Sequence, residues 1–302
     1  MLIVTYRNVF FAITGLFVVV SIAAVLIFGL KLGTDFTGGV LAEARYENSR
    51  PSVEELSVSL REAGYSGFAI REAKDNGYIV RAGNISSEMR ASLPQTLSIN
   101  GAYPATMERF SEIGPTIGVE LRNKSLIAIS LVLLAILLYI ALVFRKVSKP
   151  VSSWIYGLIA LVTLVHDVIV PIGFFAVLGY VFGAQVDTLF VTAVLTILGF
   201  SVHDTIVVFD RVRENLRLNH EANRREDFEL TAGRSLQQTF VRSVNTSVTV
   251  LISLGVLFFV GPESTQDFAL TLIVGIIAGT FSSIALATPL LVTVEKWRRK
   301  DK

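Results

Sequence analysis

Asp204 is the residue from which chemistry is most readily argued. It sits in LTILGFSVHDTIVVFDRVREN (residues 195–215), where Leu195 to His203 carry no full charge. Ile206 to Phe209 resume the apolar run before Asp210, Arg211 and Arg213 end it. A carboxylate in such a run costs at least about 2.5 kcal/mol on insertion into lipid, so something must offset it. Arg242 is the candidate partner: counted inward from the same side of two antiparallel spans, it falls at a depth similar to that of Asp204. Ser243, Asn245, Thr246, Ser247 and Thr249 make its surroundings unusually polar, and Ser201 shares the Asp204 face three residues back. The pattern reads as a protonatable carboxylate coupled to an arginine and to water, with Ser201, Asn245, Thr246 and Thr249 along a water or ion path. A static ion pair that holds two helices together is the alternative.

His166 and Asp167 form a second polar pair inside an apolar run, and Pro171 follows four residues after Asp167. A proline there cannot donate to the Asp167 carbonyl, which loosens the turn and suits the same path; a simple bend with self-satisfied polar groups is the alternative. His203 points about 100° away from Asp204 and reads as a packed polar residue. The stretch Gly33-Thr34-Asp35-Phe36-Thr37-Gly38-Gly39 is glycine-rich, as a chain leaving a membrane through a tight turn requires, and Phe36 can anchor at the interface. It lacks the strand-to-helix context and the lysine of a phosphate-binding loop.

Enzymatic chemistry finds no support. With three histidines and no H-E-x-x-H there is no zinc-protease pattern, and without cysteine there is no thiolate metal site. Asp167 and Asp204 are expected to lie about 10 Å apart in depth, too far for a proton-sharing dyad. Neither a metal nor an organic cofactor is expected.

The elements that position these groups are set by composition. The chain has 302 residues, 52% hydrophobic and 17% charged, with a mean hydropathy of +0.60. Soluble domains are about a quarter charged. Apolar blocks at about residues 9–29, 125–144, 153–176, 187–209, 240–260 and 268–294 are each long enough to cross a bilayer. The first is too long for a signal-peptide core and reads as a retained anchor. The expected architecture is therefore residues 1–30 as N-terminus and first span, a water-exposed domain at 31–124, and a bundle of the remaining spans at 125–302. That bundle carries a polar connector at 211–238 and a basic tail.

Within the domain, residues 40–46 read as a strand and Ser52 with Glu55 as a capping box opening a helix to about residue 63. Residues 68–73 and 78–82 pair through an Asp75-Asn76-Gly77 turn, Ser86 opens a second helix, and residues 105–113 supply a last strand. The order β-α-β-β-α-β predicts a ferredoxin-like α+β fold. Arg7, the loop at 145–149, the connector at 211–242 and the tail Lys296-Trp297-Arg298-Arg299-Lys300 concentrate positive charge on one side. The loops near residues 183 and 264 carry no Lys or Arg. By the positive-inside rule both termini are expected in the cytoplasm and the 31–124 domain outside it.

Several stretches together resemble the SecD/SecF family of bacterial and archaeal protein-export membrane proteins, in its SecF branch. These are the 33–39 motif, Ile113 to Leu121 entering the second span, Gly199 to Asn215 in the fourth, and Arg242 to Ser247 in the fifth. Phe200 stands where a tyrosine is common. The resemblance covers nearly the whole chain and implies a multi-pass protein of the cytoplasmic membrane that works with SecD, the SecYEG channel, the exporting polypeptide and YajC. It implies no binding of nucleic acid. It also implies that Asp204 and Arg242 couple the proton-motive force to export, with H⁺ or Na⁺ as the coupling ion. Gly33, Asp35, Phe36, Gly38, Gly39, Asp210, Arg211 and Arg213 would be structural members of its motifs. A non-transducing scaffold of the translocase and a small-molecule efflux half-transporter are the alternatives.

Overall fold

The computed structural model describes residues 2–73, 76–83, 85–144, 151–224 and 226–300. The basic loop at 145–150, Asp75 of the hairpin turn and Arg225 of the connector lie outside these. In chain order the elements are α1 (Leu2–Thr5), α2 (Arg7–Phe28), α3 (Thr34–Thr37), β1 (Gly39–Tyr46), α4 (Val53–Glu62), β2 (Ala69–Ala73), β3 (Gly77–Ala82), α5 (Ser87–Leu97), β4 (Ala105–Ile113), α6 (Pro115–Val143), α7 (Ser153–Phe182), α8 (Thr188–Glu221), α9 (Phe228–Val260), α10 (Gln266–Ser282), a π-helical turn (Ser283–Ala287) and α11 (Thr288–Lys300). They form two compact units: Lys31–Ile127 with Gly183–Thr188, and Met1–Leu30 with Ala128–Phe182 and Leu189–Lys302.

The first unit is built on a four-stranded sheet in the order β2-β3-β1-β4. Its paired strands are all antiparallel, Ala42 standing opposite Val80 on one side and Phe110 on the other. This is the ferredoxin-like arrangement that the order of elements predicts. Alternation along β1 sends Val40, Ala42, Ala44 and Tyr46 into a core with Leu56, Leu60, Tyr78, Val80, Leu93 and Leu97. The capping box is formed: Ser52 Oγ accepts from the Glu55 N–H at 3.2 Å, and Glu55 Oε2 accepts from the Ser52 N–H at 2.7 Å. Ser86 caps α5 in the same way.

The second unit is a bundle of six helices long and apolar enough to span a membrane; the last runs from Glu263 to Arg299 through the π-helical turn. Most expected apolar blocks lie inside longer helices. The 34 residues of α8 amount to about 50 Å of helix against a hydrocarbon core of about 30 Å. The connector at 211–238 is accordingly helical over most of its length. Asn215 donates to Ser235 and Gln238 at 2.8 Å, and Asn219 donates to Glu226 at 2.8 Å, zipping the ends of α8 and α9 together. Likewise the expected loop at 179–186 begins only after Phe182, where α7 ends.

Small residues let the helices touch. A Cβ on Gly173 would sit 2.4 Å from Ser21 Cα, so α7 and α2 meet backbone to backbone. On α10, Gly275 makes room for the Ile197 side chain and Gly279 for Ser201. At the end where α2 begins, Glu229 accepts from Arg7 at 2.8 Å and also pairs with Lys296, joining three helices.

Candidate functional site

The buried stripe of α8 runs Ile197, Ser201, Asp204, Thr205, Val208 and Val212, at the three- and four-residue spacing of one helix face. Its middle is polar and its flanks are apolar, with Leu198, Val208 and Phe209 wholly buried. Asp204 is 2% exposed. Around this level the neighbouring helices contribute polar groups of their own. Ser201 Oγ donates to Asp167 Oδ2 on α7, and His166 Nδ1 lies 2.8 Å from Asp167 Oδ1. Thr205 Oγ1 is 3.0 Å from Ser283 Oγ, at the first residue of the π-helical turn, and Ser247 Oγ on α9 is 2.6 Å from Thr280 Oγ1 on α10. Such turns concentrate at functional sites because they break the regular ladder.

Several atoms of this layer lack hydrogen-bond partners among the described residues: Asp204 Oδ2, His166 Nε2, Ser243 Oγ and Thr288 Oγ1. An orphaned buried polar atom costs about 1–3 kcal/mol, so a proton or a water that satisfied these atoms would be stabilised. Chemically the layer can accept and release a proton at Asp204 without first breaking an ion pair.

The structure separates the expected residues into two sets. His166, Asp167 and Ser201 are joined by hydrogen bonds, and Asp204 follows Ser201 three residues on along the buried face of α8, so Asp167 lies nearer the level of Asp204 than the expected separation of about 10 Å. Arg242 is exposed and forms no ion pair with Asp204 among the described residues. Instead it lines a cleft of about 460 Å³ with Ile206, Asp210, Arg211, Glu214 and Gln238. The 100° step per residue gives the inward position to its neighbour, Ser243, which is 1% exposed. Asn245 and Thr249 are exposed for the same reason. The Thr246 and Thr249 hydroxyls donate to their own helix, to Arg242 O at 2.9 Å and Asn245 O at 2.8 Å. His203 is exposed on the bundle rather than packed.

Thr205, Ser243, Ser247, Thr280 and Ser283 were not singled out by sequence reasoning as site residues. The signal that finds them is phase: Thr239, Ser243 and Ser247 recur every four residues on α9 and are all buried. Asp210, Arg211 and Arg213 lie past the layer in helix-surface contacts, Arg211 with Glu214 at 2.5 Å and Arg213 with Asp210 at 3.6 Å.

The 33–39 motif is a backbone junction. The Gly33 N–H donates to Val186 O at 2.8 Å, the Val186 N–H donates to Lys31 O at 2.8 Å, and Asp35 Oδ2 accepts from the Thr188 N–H at 3.0 Å and from its hydroxyl at 2.6 Å. Phe36 is buried. Gly38 and Gly39 have φ of +78° and +132°, and a Cβ on Gly39 would lie 2.3 Å from Ala82 O. Only glycine fits there.

Six apolar helices that enclose ionisable groups, with a folded α+β domain inserted between the first two, define a polytopic membrane protein with an intramembrane polar site. The family described as "Protein export membrane protein SecD/SecF, C-terminal" matches residues 95–297, and the SecD/SecF GG motif matches residues 23–49. The chain belongs to this SecD/SecF family. Among its relatives, a "Protein translocase subunit SecF" from Thermobaculum terrenum is 41% identical over 99% of this chain and 94% of its own. One from Anaerolinea thermophila is 37% identical over 97% and 94%. The crystal structure of SecDF from Thermus thermophilus, described as a translocon-associated membrane protein, superposes with a TM-score of 0.83 at 32% identity. That match covers 97% of this chain, which spans 38% of the length of the SecDF chain.

Proposed function

We propose that this protein is the SecF subunit of a SecD–SecF complex that uses the proton-motive force to assist Sec-dependent export across the cytoplasmic membrane. Relatives named SecF at up to 41% identity support the subunit assignment. Because the chain spans only 38% of a SecDF chain, a separate SecD is the natural source of the remainder. The SecYEG channel, the exporting polypeptide and YajC complete the set of proposed partners. Charge asymmetry supports an orientation with both termini and the α8–α9 tip in the cytoplasm and the sheet domain outside.

The observation that carries the energy-coupling reading is Asp204: a carboxylate 2% exposed whose Oδ2 has no partner among the described residues. Arg242, exposed beside Asp210 and Glu214 in the cleft, is the cation side of the proposed couple. Protonation of Asp204 changes the charge of the layer and so the relative stability of two arrangements of α8 against α9 and α10. One proton crossing a 100 mV potential supplies about 2.3 kcal/mol, enough to bias such an equilibrium about fiftyfold. His166, Asp167 and Ser201 extend the polar layer toward α7 as a water or ion path, with H⁺ as the ion and Na⁺ as the competitor.

The test is export by reconstituted translocase with and without an imposed proton gradient. Asp204→Asn and Arg242→Met are each expected to abolish the stimulation by the gradient while the protein still inserts and co-purifies with SecD. Stimulation that survives Asp204→Asn overturns the coupling role. Loss of stimulation accompanied by loss of co-purification would point to a scaffold instead.

A further inference from the structure

Residues 31–39 do more than let the chain leave a membrane helix. They bind the starting points of two others. Asp35 takes both the N–H and the hydroxyl of Thr188, the first residue of α8, with one carboxylate oxygen. Leu32 and Val186 pair as a short parallel bridge, fixing the segment that leads into α8. On α6, Gly118 lies so close that a Cβ there would stand 2.9 Å from Gly38 N and 3.1 Å from Phe36 O. The loop Gly183–Thr188 therefore belongs to the same compact unit as the sheet.

The path from Asp35 to the sheet has no slack. Phe36 and Thr37 donate to Gly33 O at 3.0 and 3.1 Å, and Gly38 donates to Thr34 O at 2.9 Å, closing the turn α3. The next residue, Gly39, opens β1 opposite Ile113. Three residues separate the carboxylate that holds α8 from the central strand pair, and their N–H groups are already hydrogen-bonded back to Gly33 and Thr34. A displacement of Thr188 cannot be taken up by straightening such a segment.

We infer that this junction is the linkage by which a shift of α8 reaches the sheet domain, and that Asp35 is its positioning residue. The inference rests on the coupling role proposed above for Asp204, which α8 also carries. It assigns to the glycine motif a task that a flexible exit turn would not perform: the motif stays closed and moves as one piece with the first turn of α8.

The chain has no cysteine, so single labels are clean. The full-length protein, reconstituted with its SecD partner in liposomes, is labelled with an environment-sensitive fluorophore at Leu218→Cys on α8 or at Glu47→Cys just after β1, both exposed positions. An imposed proton gradient is expected to change both signals. Asp35→Ala should keep the Leu218 response and reduce the Glu47 response at least fivefold, and Asp35→Asn, which retains an acceptor oxygen, should keep more than half of it. A full Glu47 response in Asp35→Ala overturns the linkage while leaving the Asp204 reading intact. A parent protein silent at Leu218, or an Asp204→Asn variant that still responds there, overturns that reading and with it the shift this junction would carry.

Should Asp35→Ala fail to fold, a disulfide between Leu32→Cys and Val186→Cys, the bridge partners, tests the same point. Locking the junction should leave both responses and export as they are in the reduced form. Loss on oxidation with recovery on reduction would show that the junction must open, and the inference falls.

Discussion

The sheet domain and the helix bundle bury polar groups on different terms. In the domain, the Tyr46 hydroxyl donates to Leu97 O at 2.9 Å and the Tyr78 hydroxyl donates to Pro51 O at 2.7 Å, so the largest polar side chains of its core are satisfied. Burial pushes the Tyr46 phenol above its ordinary range, and it remains a donor well into alkaline conditions. In the bundle, Tyr156, His166, Asp204, Arg234, Ser243 and Thr288 each hold a buried atom with no partner, and among the described residues all such side-chain atoms fall in that unit. A domain that must keep one shape closes its hydrogen bonds. A bundle that changes charge, as proposed for Asp204, would keep some of them open, at a cost offset by that function.

The comparison can be broken most severely at Asp204. Asp204→Asn should remove all gradient-stimulated export yet leave the unfolding temperature of the purified protein unchanged or raised, because a neutral amide replaces a buried charge. A variant that unfolds early would make the layer an ordinary structural core. In the domain the opposite is expected: Leu60→Ala, at a residue with 0% exposure, should cost roughly 3 kcal/mol in denaturant unfolding of the domain and leave the helical signal of the bundle intact. Next in size is Gly173→Ala, whose methyl group would overlap Ser21 backbone; a loss of roughly 2 kcal/mol should appear as a lower thermal midpoint.

The smallest effect concerns pH at the tip of the α8–α9 hairpin. The Thr231 hydroxyl, with Asn219 and Arg234, holds the Glu226 carboxyl below its usual range. A carboxylate depressed in the folded state contributes stability above its unfolded pKa of about 4.3 and loses it as pH falls through the lower folded value. Exchange of the amides at residues 219–231 should therefore accelerate as pH drops below about 4 in the parent. Glu226→Gln should flatten that dependence, at a cost of under about 1 kcal/mol at neutral pH. An unchanged profile would place the hairpin's stability in the Asn215 and Asn219 contacts alone.

Much of the fold was legible because its signals are local. Apolar runs of bilayer length, the Ser52–Glu55 box and the alternation of Val40, Ala42, Ala44 and Tyr46 each depend on residues within a few positions of one another. Helix ends were harder. The α8 and α9 extensions are polar, and nothing local distinguishes a solvated helix pair zipped by Asn215 and Asn219 from a loop. At the site, the motif around Asp204 marked a helix on which that carboxylate is buried. The rotation of α9 was not legible: Arg242, Asn245 and Thr249 are exposed while Ser243 is buried.

The sequence by itself determined that this chain crosses a membrane six times, carries a ferredoxin-like domain after the first crossing and buries a carboxylate in the fourth helix. The crossings follow from the cost of exposing backbone and charge to lipid and the domain from local alternation and capping signals, both written residue by residue. Only the tertiary structure decided that Ser201 meets Asp167, that Ser243 rather than Arg242 turns inward, and that Asp35 seizes the start of α8 from 153 residues away. Those depend on the rotation of each helix about its axis and on which backbones can touch. Rotation is set by the packing of all the neighbours at once, and no local stretch of the chain contains it.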